Sequence, residues 1–327
     1  MTIENGIAVL VIGYRRKDNI KKILEICATN KVYRIYVALD GPKQDSGSGL
    51  IDNLEIQRVI DDFERIYAGE VKKFYHNSNL GCAASVLSAC DWAFKTAENL
   101  IILEDDCIPT SDFFNFSKLS LIEMEKNLNI WISCGTQFAP KNLSNDSWVL
   151  SRYALTWGWC TNRKNWNEIS LCIRENFKLR ANYNNSVSLQ ESIYWNEGSR
   201  RAHQGWIDVW DTILVKQMVR NSKLAVLPTV PLVTNKGNDV FATNTIGYSP
   251  WLNLQTGFFP DNPGDLHLSK VHESWLRKEF YGISSRHLFT TQFTKLRDFL
   301  NRKNRVRNPL IQRWDEAISK YRCNLPT

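Results

Sequence analysis

The stretch "NLIILEDDCIPTSDFFNF", residues 99–116, contains the pattern on which our interpretation of the fold is based. An apolar run typical of a buried strand leads into three consecutive carboxylates, Glu104, Asp105 and Asp106, and then into a helix-like segment. Three like charges at the end of a buried strand repel each other and resist leaving water. Either a divalent cation offsets them, or the run is an exposed turn in which Asp106 or Thr110 caps the next helix.

Strand-like and helix-like runs alternate in the first third of the chain, which predicts a parallel α/β sheet with right-handed crossovers. Such crossovers bring the carboxyl ends of the strands to one edge of the sheet, where open α/β sheets bind ligands. The strand-like runs cover residues 7–14, 34–41, 71–77 and 99–106, and the helix-like runs cover 18–28, 50–67 and 81–97. Candidate binding residues therefore follow these strands: Tyr14, Arg15, Asp40, Gly41, Asn79, Gly81, Glu104, Asp105 and Asp106.

The pattern beyond residue 127 is less regular. It predicts a strand, a polar loop, a helix and a strand that leaves into a Gly- and Asn-rich loop, over residues 130–140, 170–204, 205–219 and 223–245 respectively. No Pro- or Ser-rich linker separates the two halves. We therefore expect one domain over 1–250, with a nucleotide-binding half (1–126) and an acceptor-binding half (127–250), followed by a basic helical extension over 251–327.

Composition and cysteine usage restrict the class of protein. The chain has 327 residues, 43% of them hydrophobic, which is enough for a large core. No apolar run reaches the roughly 18 residues of a membrane span, and the apolar stretch near the start lacks the preceding basic residues of a signal peptide. We therefore expect a cytoplasmic protein. The eight cysteines are scattered singly, which predicts reduced thiols and no zinc site.

The excess positive charge is concentrated in residues 286–327, where ten basic and three acidic residues account for the whole net charge of +7. An apolar stripe that includes Phe293, Leu296 and Phe299 accompanies these charges at helical spacing. The pattern indicates peripheral association with an anionic membrane at its inner face. A solvated basic face on a packed helix is the alternative. Nucleic acid is disfavoured as a partner because no recognised binding motif accompanies the charge.

The absence of two phosphate-binding motifs restricts the classes of nucleotide-binding enzyme that fit the sequence. Neither GxGxxG nor GxxxxGK[ST] follows the first strand, which argues against dinucleotide oxidoreductases and P-loop NTPases. The remaining mode of binding is a nucleotide that carboxylates and a metal ion hold. Asp40, which ends the second strand, is placed to accept hydrogen bonds from a base or ribose. A diphosphate beside Asp105 and Asp106 would need Mg²⁺ or Mn²⁺ to bridge it.

Taken together, these motifs resemble the GT-A fold glycosyltransferases. "ILEDDCIPTSDFFNF" looks like the "EDD...PDFF" segment of animal N-acetylglucosaminyltransferase I. "NLGCAASVLSACDWAF" and "PLVTNKGNDVFATNT" are similar to bacterial surface-polysaccharide glycosyltransferases, and the resemblance covers roughly residues 5–246. It implies a Rossmann-like, mostly parallel sheet flanked by helices.

The implied activity is metal-dependent, inverting transfer of a sugar from a nucleoside diphosphate sugar, with UDP as the expected nucleotide. The implied acceptor is a glycan or a lipid-linked oligosaccharide in bacterial capsule, lipopolysaccharide or O-antigen synthesis. Carried over residue by residue, the resemblance implies that Asp106 binds the metal and Asp105 contacts the sugar or ribose. Glu104 would hold the nucleotide or a neighbouring loop, and Asp40 would meet the uracil or ribose.

An inverting transferase also needs a carboxylate base that takes a proton from the acceptor hydroxyl. "GWIDVWDTIL" offers Asp208 and Asp211, and alignment from the downstream "LPTVPLV" favours Asp211. A carboxylate at a helix N-terminus is the alternative interpretation of Asp208.

Aromatic residues in "TWGWCTNRKNW" suggest a platform for the acceptor sugar. We expect either Trp157 or Trp159 to face the acceptor, with Gly158 allowing close approach of the backbone. The other tryptophans, including Trp166, would pack in the core. The loop around Gly237 is predicted either to close over the donor as a lid or to be a plain surface loop.

Two other functions are compatible with parts of the sequence. A sugar-nucleotide pyrophosphorylase would use a related sheet, but such enzymes usually have a Gly-rich loop after the first strand, and here "VIGYRRKDN" supplies only Gly13. A non-catalytic carbohydrate-binding protein would explain the tryptophans. It would not explain the acidic run at a strand end.

Overall fold

The computed structural model describes residues 7–43, 47–175, 187–237, 251, 254–284 and 310–323. The strands are β1 (Ile7–Gly13), β2 (Arg34–Leu39), β3 (Glu70–Tyr75), β4 (Asn99–Glu104), β5 (Cys107–Pro109), β6 (Ile130–Cys134), β7 (Trp148–Ser151), β8 (Trp159–Asn162), β9 (Leu224–Pro228) and β10 (Val233–Asn235). The helices are α1 (Lys17–Thr29), α2 (Gly47–Ile66), α3 (Cys82–Ala93), α4 (Ser111–Lys126), α5 (Arg163–Glu175), α6 (Leu189–His203), α7 (Asp211–Arg220), α8 (Lys270–Trp275) and α9 (Leu310–Cys323).

Eight of these strands form one mostly parallel sheet in the order β3-β2-β1-β4-β8-β6-β9-β7. Six strands run in the same direction, while β8 and β7 run antiparallel to their neighbours. Strands β5 and β10 pair separately as an antiparallel ribbon. The predicted α/β class, a Rossmann-like and mostly parallel sheet flanked by helices, is confirmed.

The central strands are buried on both faces, which is why they are almost continuously apolar. On β1, Leu10 and Ile12 pack into the core formed with α3, α5, α6, α7 and α9. The alternate residues Val9 and Val11 pack into the opposite core, which includes side chains of α1, α2 and α4. Helices therefore cover both faces of the sheet, and its carboxyl edge is left for binding.

Residues 170–204 differ from the prediction of a polar loop, because the described part is largely helical. Helix α5 buries Trp166, Ile169 and Ile173 at helical spacing and leaves the polar residues between them, Asn167, Glu168 and Ser170, exposed or half-buried. Helix α6 begins after Ser188, whose side chain caps it by accepting a hydrogen bond from the Glu191 N–H at 3.2 Å. The polar composition belongs to the outer faces of two amphipathic helices, which is why it resembled a loop.

Helix α9, part of the predicted basic extension, packs against α3. Trp314 is fully buried, and its indole N–H donates to the Asp91 carboxylate at 2.9 Å. Asp91 also accepts from the Trp166 indole at 2.8 Å and from Arg174 at 3.3 Å. The Arg174 guanidinium in turn stacks on the Trp314 ring at 3.6 Å from its centroid. One half-buried carboxylate on α3 thus joins α5 and α9.

The apolar and basic positions that suggested a membrane-binding stripe lie outside the described residues. They include Phe293, Leu296, Phe299, Arg302, Lys303, Arg305 and Arg307. Within the described ranges, no helix combines the length and the apolar composition that crossing a bilayer requires.

A buried pair of basic groups lies between α6 and α7. His203 and Lys216 are each 4% exposed. Burial lowers the pKa of His203 to about 4, and the charge of Lys216 adds to this effect. Burial likewise lowers the pKa of Lys216 to about 8, with a contribution from Arg220. The folded protein therefore keeps His203 neutral at pH values at which the unfolded chain protonates it.

We predict that acid destabilises the fold partly through His203. Its pKa is lower in the folded state than the ordinary 6.5, so the unfolded state binds more protons and the free energy of unfolding falls as the pH decreases. Between about pH 7 and about pH 5 the loss should be about 2 kcal/mol from this residue. Urea unfolding over that range should show a shallower pH dependence for His203→Gln. His267→Gln, at an exposed position, is the control. An unchanged slope of the free energy of unfolding against pH in His203→Gln would contradict the prediction.

Candidate functional site

A cavity of about 710 Å³ lies at the carboxyl edge of the sheet, where β1, β2 and β4 end. Its walls come from the loop after β1, the loop ahead of α3, the acidic run after β4 and the segment ahead of α7. Most of the residues nominated from the sequence line it. They are Tyr14, Asp40, Asn79, Gly81, Glu104, Asp105, Asp106, Trp157, Asp208 and Asp211.

Asp105 holds the loop that follows β1. Its Oδ2 accepts hydrogen bonds from the backbone N–H groups of Tyr14, Arg15 and Arg16 at 2.8, 3.3 and 3.4 Å. Its Oδ1 accepts one from the Arg16 guanidinium at 2.9 Å. These amides directly precede α1, where the helix dipole favours negative charge. Asp105 therefore shapes the cavity wall, and its predicted contact with the sugar or ribose stays a prediction.

Asp40 performs a similar task for the loop ahead of α3. It is 4% exposed, and its Oδ1 accepts hydrogen bonds from the N–H groups of Gly41 and Leu80 at 2.8 and 2.7 Å. Its Oδ2 accepts from the Asn79 amide at 2.9 Å and from the Gly81 N–H at 3.0 Å. With four donors from the protein, this carboxylate ties β2 to the α3 loop. The nucleotide contact predicted for Asp40 remains untested.

Asp208 lies at the start of α3. Its Oδ2 accepts from the Cys82 N–H at 3.0 Å, and its Oδ1 accepts from the Ala83 N–H at 3.4 Å. Arg313 of α9 donates to the same Oδ1 at 3.0 Å. The interpretation of Asp208 as a carboxylate at a helix N-terminus agrees with these contacts, except that the helix is α3 and not α7. Its oxygens are thus engaged in holding the wall.

Helices α1, α3 and α7 all begin at the cavity, and each begins beside a carboxylate of the protein: Asp105, Asp208 and Asp211. Helix N-termini are common phosphate sites because their amide groups face outward. In this cavity several of those amides already donate to carboxylates. A phosphate group that enters it must therefore find positive charge elsewhere, and Arg16 and Lys43 line the wall.

The remaining carboxylates have raised pKa values. Burial, together with repulsion from Asp106, Asp105 and Asp211, raises the pKa of Glu104 to about 8. Burial, followed by repulsion from Asp105, raises the pKa of Asp106. Burial also raises the pKa of Asp211, although hydrogen bonds from Thr212 act against it. These carboxyl groups therefore resist ionisation in one another's presence, and a cation would favour their charged forms.

A divalent cation is the cofactor that the sequence resemblance implies, and Asp106 is the ligand it nominates. In the part of the chain that the structure describes, no group of three or more His, Cys, Asp or Glu side chains is arranged to hold a metal ion. Asp106 lines the cavity with its side chain 23% exposed. Mg²⁺ is often held by one or two carboxylates, with water and substrate phosphates completing the shell. The donor set thus fits a cation that is shared with a diphosphate and does not form a closed protein site.

The tryptophans divide between the cavity and the core. Trp157 lines the cavity and packs edge-to-face on Phe138, with ring centroids 4.9 Å apart. Trp159 is only 1% exposed and packs against Trp166 and Trp210, with centroids 6.1 and 5.1 Å apart. Of the two candidates for the acceptor platform, Trp157 lines the cavity and Trp159 packs in the core, and the contact between Trp157 and an acceptor stays a prediction.

Gly158 lies behind the cavity wall. Its φ of +67° is in the left-handed region, and an added Cβ would lie 2.7 Å from the Cγ2 atom of Val233. The predicted close approach of the backbone is therefore an approach to β10, not to an acceptor. Gly158 thus allows its segment to pass close to Val233.

Arg15, nominated as a donor-binding residue, is not part of the cavity wall, because its guanidinium donates to Asp52 at 2.6 and 2.9 Å. The sequence prediction omitted several residues that line the wall, among them Arg16, Lys43 and Trp206. The sequence does show two adjacent arginines after β1, Arg15 and Arg16, at the expected binding edge. Which of the two faces the cavity depends on where α1 begins.

Part of the predicted lid belongs to the wall. Gly237 lines the cavity, and its N–H donates to the Asn235 side chain at 2.7 Å. A Cβ at Gly237 would lie 2.5 Å from Oδ2 of Asp106, so a side chain there would displace that carboxylate. The Lys236 N–H donates to the backbone carbonyl of Asp106 at 2.8 Å. The remainder of the loop, residues 238–245, lies outside the described residues.

Comparison with known proteins adds little to this geometry. No family model matches the chain, and no curated protein matches it. Among solved structures, the chain is similar to the 4-diphosphocytidyl-2C-methyl-D-erythritol synthase of Anaerococcus prevotii, at 9% identity and a TM-score of 0.34. The match covers 54% of this chain and 80% of that chain, and a likeness this weak carries no conclusion about the chemistry of the cavity.

Proposed function

We propose that the protein is a metal-dependent, inverting glycosyltransferase of the GT-A type. It would transfer a sugar from a nucleoside diphosphate sugar, with UDP as the nucleotide, to a glycan or lipid-linked acceptor in bacterial surface polysaccharide synthesis. The observation that carries the proposal is the convergence of Asp106, Asp211 and Trp157 on one cavity at the carboxyl edge of the sheet. The sequence resemblance gives these residues the roles of metal ligand, base and acceptor platform.

The donor would bind where β1 and β4 end. Arg16 lies close to the acidic run, with a guanidinium nitrogen 2.9 Å from Asp105 and 3.9 Å from Asp106. It can therefore contact a phosphate oxygen while it remains paired with Asp105. When bound, a divalent cation on Asp106 would neutralise the diphosphate and help it to leave.

The base would act from the part of the cavity wall where α7 begins. Asp211 opens α7 and lines the cavity, and its Oδ1 accepts the Thr212 N–H at 2.7 Å. This hydrogen bond fixes one oxygen and orients the carboxylate. Its raised pKa suits a general base, because efficiency improves as the pKa approaches the working pH. The acceptor would then lie between Asp211 and the ring of Trp157.

We predict that Asp106→Ala abolishes Mn²⁺-dependent UDP binding while the protein remains folded. The side chain lies at the cavity wall, so its loss should change ligand affinity far more than stability. Titration calorimetry with and without Mn²⁺ measures the affinity. Asp52→Asn is the control, because it removes a nearby carboxylate that pairs with Arg15 outside the cavity. Unchanged Mn²⁺-dependent binding in folded Asp106→Ala would contradict the assignment.

A second prediction tests the placement of the carboxylate rather than its presence. Gly237→Ala keeps Asp106 but forces a Cβ to within 2.5 Å of its Oδ2 atom, so the carboxylate must move. We expect Mn²⁺-dependent UDP affinity to fall by about tenfold or more, with UDP binding in the absence of metal little changed. Equal affinities for Gly237→Ala and the wild type would show that the position of Asp106 is irrelevant to the metal.

A third prediction concerns the base. Asp211→Asn should reduce kcat by roughly 10² to 10⁴ with donor binding retained, because the amide cannot take the proton. In the wild type, the acid limb of the pH–rate profile should lie above the range of an ordinary aspartate, since burial raises the Asp211 pKa and Glu104 lies nearby. Deprotonation is required, so the rate should fall as the pH falls through that value.

Asp208→Asn separates the two candidates for the base. Because Asp208 holds α3, its variant should weaken donor binding or stability before it alters kcat. Loss of kcat in Asp208→Asn alone, with a normal Asp211→Asn, would reverse the assignment. Release of pyrophosphate from a nucleoside triphosphate and a sugar phosphate would instead identify a pyrophosphorylase.

A further inference from the structure

Helix α9 reaches the cavity wall from a distant part of the sequence. Arg313 is 6% exposed and lies beneath the loop ahead of α3. Its Nη1 donates to the Leu80 carbonyl at 2.6 Å, and its Nη2 donates to Oδ1 of Asp208 at 3.0 Å. A single planar guanidinium thus connects two segments of the wall that are 128 residues apart, as the numbering of Leu80 and Asp208 shows.

The α3 loop is held from two sides. Asp40 accepts the N–H groups of Leu80 and Gly81, while Arg313 donates to the carbonyl of Leu80. Asp208 accepts the N–H groups of the next two residues, Cys82 and Ala83. The position of these four residues therefore depends on two carboxylates and one guanidinium.

The charge of Arg313 also has a function at Asp208. The Asp208 side chain is 14% exposed in a cavity that several other acidic residues line. A carboxylate in such surroundings is stable in its charged form only when it is paired and hydrogen bonded. Arg313 is a fitting partner because its fork can serve Asp208 and the Leu80 carbonyl at the same time, which the single ammonium group of a lysine cannot do in the same geometry.

We infer that Arg313 is a positioning residue, whose guanidinium orders the cavity wall formed by residues 79–83 and Asp208. Arg313 acts through Asp208 and Leu80 and has no place in the reaction itself. Only one consequence of the inference rests on the proposed function, namely that donor binding depends on this wall. The ordering of residues 80–83 can be measured without any ligand.

The test compares Arg313→Gln with a variant that weakens the docking of α9 elsewhere. Arg174→Gln is the matched control, because Arg174 contacts α9 through Asp315 and the ring of Trp314. Amide hydrogen exchange at residues 80–83 gives the direct measurement. In Arg313→Gln we expect exchange at Cys82 and Ala83 to accelerate by about tenfold or more, since their acceptor Asp208 loses its partner. In Arg174→Gln these amides should keep the wild-type rate even when the melting temperature falls.

Arg313→Lys adds a graded variant and protects the test if Arg313→Gln does not fold. It keeps the charge beside Asp208 but gives up the two-pronged contact, so exchange should lie between the wild-type and Arg313→Gln rates. Affinity for UDP with Mn²⁺ should follow the same order, with a loss of about 10- to 100-fold in Arg313→Gln. Wild-type exchange at residues 80–83 in both Arg313 variants, or equal acceleration in Arg174→Gln, would overturn the inference. Absence of UDP binding by the wild type would instead refute the proposed function and leave the exchange result decisive for Arg313.

Discussion

Carboxylates of the protein occupy the starts of the helices around the cavity, and the remaining features of the site depend on this arrangement. Asp105 accepts hydrogen bonds from the backbone N–H groups ahead of α1, and Asp208 accepts them from the first N–H groups of α3. Asp211 is itself the first residue of α7 and accepts from the Thr212 N–H. Many nucleotide-binding sheets leave such amides for phosphate. Here the helix dipoles stabilise the protein's own acidic groups. Several carboxylates consequently line the cavity, and the diphosphate of the proposed donor would depend on a cation and on Arg16 for binding there.

The same arrangement explains why the loops of the site are well defined. A carboxylate can accept three or four hydrogen bonds, so one buried side chain can fix a whole loop. Asp40 fixes the α3 loop and Asp105 fixes the loop after β1, each with charge-assisted hydrogen bonds. Asp91 uses the same principle on the opposite face of α3, where it joins α5 and α9 through two indole N–H groups. Charge-assisted hydrogen bonds thus hold these loops, in addition to the apolar packing of residues such as Leu80.

The sequence predicted the features that depend on local pattern. Alternating apolar runs placed β1 to β4 and the helices between them, and the acidic run placed the edge of the sheet. What it could not predict depends on contacts between distant residues. The hydrogen bonds that Asp40 accepts from the amides of residues 80 and 81 exist only because the fold brings these residues to it. The choice between Trp157 and Trp159 depends on the packing of Trp159 against the distant Trp210. The helices in 170–204 gain their stability from packing rather than from composition.

The contact between Arg313 and Leu80 spans 233 positions of the chain. During synthesis the strands β1 to β4 and helix α3 leave the ribosome long before α9 exists, and domains begin to fold as they emerge. At that stage the acidic groups around the α3 loop lack the guanidinium that later joins them. The wall of the cavity can reach its final order only after residue 313 has been made. A ribosome-bound nascent chain would therefore possess the sheet of the protein without a completed binding site.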